Sequence, residues 1–91
     1  MARERISRMA QIAKQHPTWS MQQINEHLNE EKRVIVFALN NFDNGKGRPV
    51  ATLDNVDTFE RALVDRCLRK MLQSPNVSAL AKQIARRMLN A

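Results

Sequence analysis

The residues of this chain that could carry covalent or metal chemistry are few, and their spacing isolates them. His16 and His27 stand on either side of Pro17, and no cysteine or carboxylate recurs beside them at the intervals of a metal site. Cys67 is the single cysteine. It falls beside Leu68 on the apolar side of a predicted helix, which suits a buried structural thiol better than a nucleophile. The sequence carries no glycine-rich phosphate loop and no nucleophile motif. It therefore presents no catalytic and no metal site, asks for no cofactor, and an enzyme is not expected. What it does present is cationic chemistry. Fifteen Lys and Arg against nine Asp and Glu give a formal charge of +6, and such a surplus attracts polyanions without reading them.

The surplus is uneven. Arg61, Arg66, Arg69, Lys70, Lys82, Arg86 and Arg87 face Asp65 alone, whereas Asp54, Asp57 and Glu60 make the stretch just before them acidic. Lys46 and Arg48 flank Gly47 in a loop, an arrangement that can follow a phosphate backbone or enter a minor groove. Arg3, Arg5 and Arg8 form a short basic arm. Solvated helix faces and a frayed terminus would also account for such charges.

The elements that must position these residues are mostly helical. Only two Gly and three Pro punctuate the 91 residues, and three Phe and one Trp leave the core to Leu, Ile, Val, Met and Ala. Residues 1–91 form a single domain that buries roughly 60 to 65% of its unfolded surface, a modest core that a second copy would help. No apolar run approaches the roughly 18 residues of a spanning helix. The Met-Ala-Arg-Glu-Arg start lacks the apolar stretch of a secretory signal, so a cytoplasmic location is expected.

A first helix is predicted from about Arg3 to Gln15, with Ile6, Met9, Ala10, Ile12 and Ala13 on one face, and Pro17 stops it near His16. Ser20 then caps a second helix, Met21 to about Leu28, with Gln23 completing a capping box and Trp19 stapling onto Ile24. The polar run Asn29-Glu30-Glu31 predicts a turn. A third helix follows from near Glu31, burying Ile35, Leu39 and Phe42. Residues 33–39, RVIVFAL, also suit a strand by composition, and Asn44-Gly45 with the extended 48–53 segment could then make a hairpin.

Ile24, Leu28, Ile35 and Leu39, spaced across that turn, resemble the helix-turn-helix superfamily. The resemblance covers about a quarter of the chain, with Asn29 in place of the usual turn glycine and Asn25 where a small residue is common. It implies a tri-helical unit over 1–53, with residues 48–53 where a winged member has its β-wing. The third predicted helix would be the recognition helix, exposing Lys32, Arg33, Val36, Phe37, Asn40 and Asn41. Arg and Asn pair bidentately with guanine and adenine edges, and apolar side chains meet thymine methyls.

Residues 54–91 then read as a helical support or dimerisation region. Asp54 or Asp57 caps a fourth helix carrying Val56, Phe59, Leu63, Cys67 and Met71 on one side and Val64, Leu68 and Leu72 beside it. Ser74-Pro75 starts a fifth, with Val77, Leu80, Ala81, Ile84 and Met88 on one face and Lys82, Gln83, Arg86 and Arg87 on the other. Apolar surface in such excess predicts a homodimer through Leu80, Ile84 and Met88.

The architecture expected is thus mostly α, about five helices. The function implied is a small sequence-specific transcriptional regulator, of the size of a bacterial or phage regulator, dimeric on double-stranded DNA. Lys46 and Arg48 would add phosphate contacts. The alternative is a protein-interaction module, a small inhibitor or adaptor that covers a protein partner through Val36, Phe37 or the apolar faces of the last two helices. Non-specific or structured-RNA binding would follow from charge alone, and stacking aromatics are few.

Overall fold

Among the described residues, four α-helices and one 3-10 turn run in the order α1 (Ala2–Gln15), α2 (Met21–Phe42), the turn Val56–Thr58, α3 (Arg61–Leu72) and α4 (Ala79–Leu89). The computed structural model describes residues 2–43 and 50–90, with side chains from Arg8 onward, and no strand occurs among them. The fold is mostly helical, as the composition predicts, with four helices among the described residues in place of the five expected.

The difference lies in α2. Its start is the one predicted: Ser20 Oγ accepts from the Gln23 amide at 3.2 Å, and the Gln23 side chain accepts from the Ser20 amide at 2.8 Å. Trp19 packs against the cluster that holds Ile24. The helix then continues without a break to Phe42. The second and third predicted helices are one, and the turn expected at Asn29-Glu30-Glu31 does not form. Residues 21–42 contain neither Gly nor Pro, and Glu and Lys are good helix formers, so nothing local stops propagation. The polar run that suggests a turn is instead a polar node within the helix, where Glu31 is only 2% exposed. Residues 33–39 are helical, and the strand alternative falls with the turn.

This long helix serves two cores. Its first half sets Ile24 and Leu28 against Ile12 of α1, with Met9 and Ala13 alongside. Its second half sets Val34, Ala38 and Leu39 against Leu63, Val64, Cys67, Leu68 and Met71 of α3 and Ile84, Ala85 and Met88 of α4. α2, α3 and α4 each pack on the other two. Leu68 and Met71 are almost fully buried, each stabilising the fold by roughly 1.5 to 3 kcal/mol. Ile84 and Met88, expected at a dimer interface, are consumed by this internal core. Leu80 alone of that set is exposed, at 63%.

The connection from α2 to α3 forms no wing within the described residues. Ala51 instead lies in the core, and its backbone is matched by the Asn40 side chain, which donates to the Ala51 carbonyl and accepts from its amide, both at 2.9 Å. Thr52 and Asn55 then bond reciprocally, Asn55 Oδ1 accepting at 2.7 Å and Thr52 Oγ1 at 3.2 Å. Neither Asp54 nor Asp57 caps α3. Its N-cap is Glu60, without a side-chain bond, and Asp57 lies within the 3-10 turn, 3.3 Å from Lys32. Nor does Ser74-Pro75 start α4. Ser74 accepts from the Asn76 amide in a turn, and the cap is Ser78, whose Oγ accepts from Ala81.

Because Asn29 is an exposed position inside a continuous helix, Asn29→Pro is expected to lose about 3 kcal/mol or more of stability in urea denaturation. A cost below about 1 kcal/mol would indicate a chain turn at this point.

Candidate nucleic-acid interface

The cations divide into those satisfied inside the protein and those left facing water. Glu31 organises the first group. Arg8 of α1 donates to both of its carboxylate oxygens, at 2.9 and 2.6 Å, and Arg87 of α4 donates to Oε2 at 3.1 Å. Arg87 also reaches Glu30 at 3.1 Å. Elsewhere Lys32, only 8% exposed, meets Asp57, and Arg61 meets Asp65 at 3.1 Å. A buried carboxylate is expensive to desolvate and needs such paired donors. The ion pairs therefore hold α1, α4 and the 3-10 turn onto α2.

A ring cluster lies beside Glu31. His16 stacks on Trp19 with centroids 3.7 Å apart, and His27 meets the Trp19 ring at 5.1 Å. His27 Nε2 is 3.5 Å from Glu31 Oε2. Burial depresses the His27 pKa below its ordinary value of 6.5; Arg87 lowers it further, Glu31 and Glu30 raise it in part, and His16 adds a small lowering. The two guanidiniums already neutralise Glu31, so little attraction is left for an imidazolium.

The second group includes the exposed Lys14 of α1 and Arg33 of α2 and is most numerous on α3 and α4. Among the described residues no carboxylate comes within ion-pair distance of Arg66, Arg69, Lys70, Lys82 or Arg86. The side of α3 that faces α2 is marked by Arg61, Val64 and Leu68, which share a cleft of about 310 Å³ with Leu28 and Ile35. At 3.6 residues per turn, Arg66 and Lys70 fall on the opposite flank of α3. The side of α4 that faces α2 is marked by Arg87, and Lys82 and Arg86 fall on the flank away from it. Both flanks border the α3–α4 seam. Helical spacing thus puts Arg66, Lys70, Lys82 and Arg86 on the side away from α2, along either side of the α3–α4 packing, with Arg69 at the edge. The cleft itself has a neutral rim, since Arg8, Lys32 and Arg61 there are paired with Glu31, Asp57 and Asp65.

The residues singled out from the sequence are dispersed by comparison. Lys32 is buried, so it is not a surface cation. Arg33 is exposed on the outer ridge of α2, Val36 is half-buried, and Phe37 is 43% exposed against Phe42. Both ends of the Asn40 amide are committed to Ala51, and Asn41 donates back to the Phe37 carbonyl at 2.8 Å. Lys46 and Arg48 lie outside the described residues. The cations of α3 and α4 not singled out as DNA contacts, Arg66, Arg69, Lys70, Lys82 and Arg86, carry a readable signal: Arg66–Lys70 and Lys82–Arg86 are like-charge pairs spaced i,i+4.

No protein-family model, no curated protein and no solved structure matches this chain.

A histidine whose folded pKa is depressed takes up a proton more readily when unfolded. Stability from His27 should therefore be complete above pH 6.5 and decline as pH falls through the lower folded value. Thermal melts between pH 7 and 5 are expected to show this decline in the wild type and a shallower one in His27→Gln. Equal slopes would mean that His27 does not titrate differently on folding.

Proposed function

We propose that the protein binds double-stranded DNA along its phosphate backbone, through Arg66, Arg69, Lys70, Lys82 and Arg86 on the joint outer face of α3 and α4. The observation that carries this reading is the division of charge: Glu30, Glu31, Asp57 and Asp65 are matched by Arg87, Arg8, Lys32 and Arg61, whereas five cations of α3 and α4 have no acid within ion-pair distance among the described residues. Long, flexible cationic side chains without neighbouring acids suit phosphate contact. Single strands are held by bases stacking on aromatic rings, and neither α3 nor α4 contains an aromatic residue. The 2′-hydroxyl contacts that single out duplex RNA call for polar groups beside the phosphate contacts, and the five residues named here are all cationic.

Of the sequence-specific regulator that the resemblance implies, this reading keeps the DNA and the phosphate contacts. It does not keep base recognition from a helix-turn-helix, since α2 has no turn and the Asn40 amide is occupied. Nor does it keep a dimer through Ile84 and Met88. A second reading, a protein-interaction module, draws on a different observation. Val50 is 71% exposed although its carbonyl accepts from Asn55 and its neighbour Ala51 is fixed to Asn40, so an apolar side chain is held in water by an ordered loop.

Five phosphate contacts predict a log–log salt dependence of duplex affinity with slope about −4.5, measured by fluorescence anisotropy on a short labelled duplex. The double variant Arg66→Gln/Arg86→Gln should lower that slope by roughly 2. Absence of duplex binding at low salt would remove this reading and leave the interaction module.

A further inference from the structure

Resting on that reading, we propose that the α3–α4 face lies across one groove of the duplex, its Arg66–Lys70 row on the phosphates of one strand and its Lys82–Arg86 row on those of the other, holding DNA irrespective of base sequence. The argument is one of width. α3 and α4 pack directly on each other, and packed helices run roughly 8 to 10 Å apart. Each helix measures roughly 10 to 12 Å across with its side chains. The joint face is then on the order of 20 Å wide, whereas the major groove admits roughly 12 Å. A single helix enters such a groove, and two side by side do not.

The face must therefore rest on the groove's rims. The cations stand one row on each side of the seam, so the rows are separated by about the 8 to 10 Å interhelical spacing, close to the width of the groove they would span. Within a row the two charges are four residues apart, roughly 6 Å along the helix, so each row can follow successive phosphates of one strand. Side chains held at the level of the phosphates by a face too wide to descend do not reach base edges. The contacts that discriminate bases, bidentate pairing in the groove floor, are absent from this arrangement. Its specificity is for the duplex form.

The test compares duplexes of about 16 base pairs that are AT-rich, GC-rich and mixed, together with the mixed duplex carrying neutral methylphosphonates on one strand or on the other. Affinity and salt slope are measured for the wild type and for Arg66→Gln/Lys70→Gln and Lys82→Gln/Arg86→Gln, with helicity checked by circular dichroism. The three natural duplexes should agree in Kd within about threefold, and neutralising either strand alone should reduce the slope by roughly 2. Each double variant should do the same. If both rows sat on a single strand, neutralising the other would leave affinity and slope unchanged, and the straddling arrangement would be overturned with DNA binding intact. A preference above tenfold for one natural sequence would likewise overturn it while leaving the DNA reading in place. Failure to bind any duplex would end both.

Discussion

The fold depends on one buried carboxylate. Glu31 sits mid-way along α2 with almost no access to water, and its charge is tolerable only because Arg8 from α1 and Arg87 from α4 converge on it. Removing a partner from such a buried pair costs about 3 to 5 kcal/mol in proteins generally, because the remaining charge is stranded. The cost here lies toward the lower end, since Arg87 retains contact with solvent and with Glu30. Glu31 therefore sets where α1 and α4 rest along α2. It also requires α2 to be unbroken at this point, because a turn at residues 29–31 would swing the carboxylate out of reach of one arginine.

That constraint sorts the charges of the whole molecule. Arg8 and Arg87 are tied to Glu31, Lys32 to Asp57 and Arg61 to Asp65. The acids described near the centre of the bundle are largely used in this way. α4 has no acidic residue and α3 has only Asp65, so the cations on their outer flanks have nothing internal to meet. The basic face follows from the way the core is neutralised. Burial, and after it the charge of Arg87, lower the His27 pKa beside the same node.

What could be read from the sequence was what short-range chemistry decides. Pro17 ends α1 before the turn, Ser20 and Gln23 begin α2, and the apolar stripe of α3 buries Leu63, Cys67 and Met71 as its periodicity implies. Cys67 is a buried thiol. What could not be read depends on partners far along the chain. The polar run at residues 29–31 looks like a turn until Arg8 and Arg87, 23 and 56 residues from Glu31, are brought to it. Lys32 looks like a surface group, and Asn40 like an unengaged amide able to touch DNA, until Asp57 and Ala51 are placed beside them. Ile84 and Met88 look like dimer contacts until α2 and α3 cover them. Lys82 and Arg86 were legible as a basic flank of an amphipathic helix, but their union with Arg66 and Lys70 needs the α3–α4 packing.

The claim that the charge left over from the core forms a DNA-binding face is tested most directly by titrating isotopically labelled protein with a short duplex and following amide shifts by NMR. The account predicts that the largest changes fall on α3 and α4, around Arg66, Arg69, Lys70, Lys82 and Arg86, with Arg33, Phe37 and Asn41 on α2 little affected. Largest changes along the α2 ridge, with α3 and α4 unmoved, would contradict it.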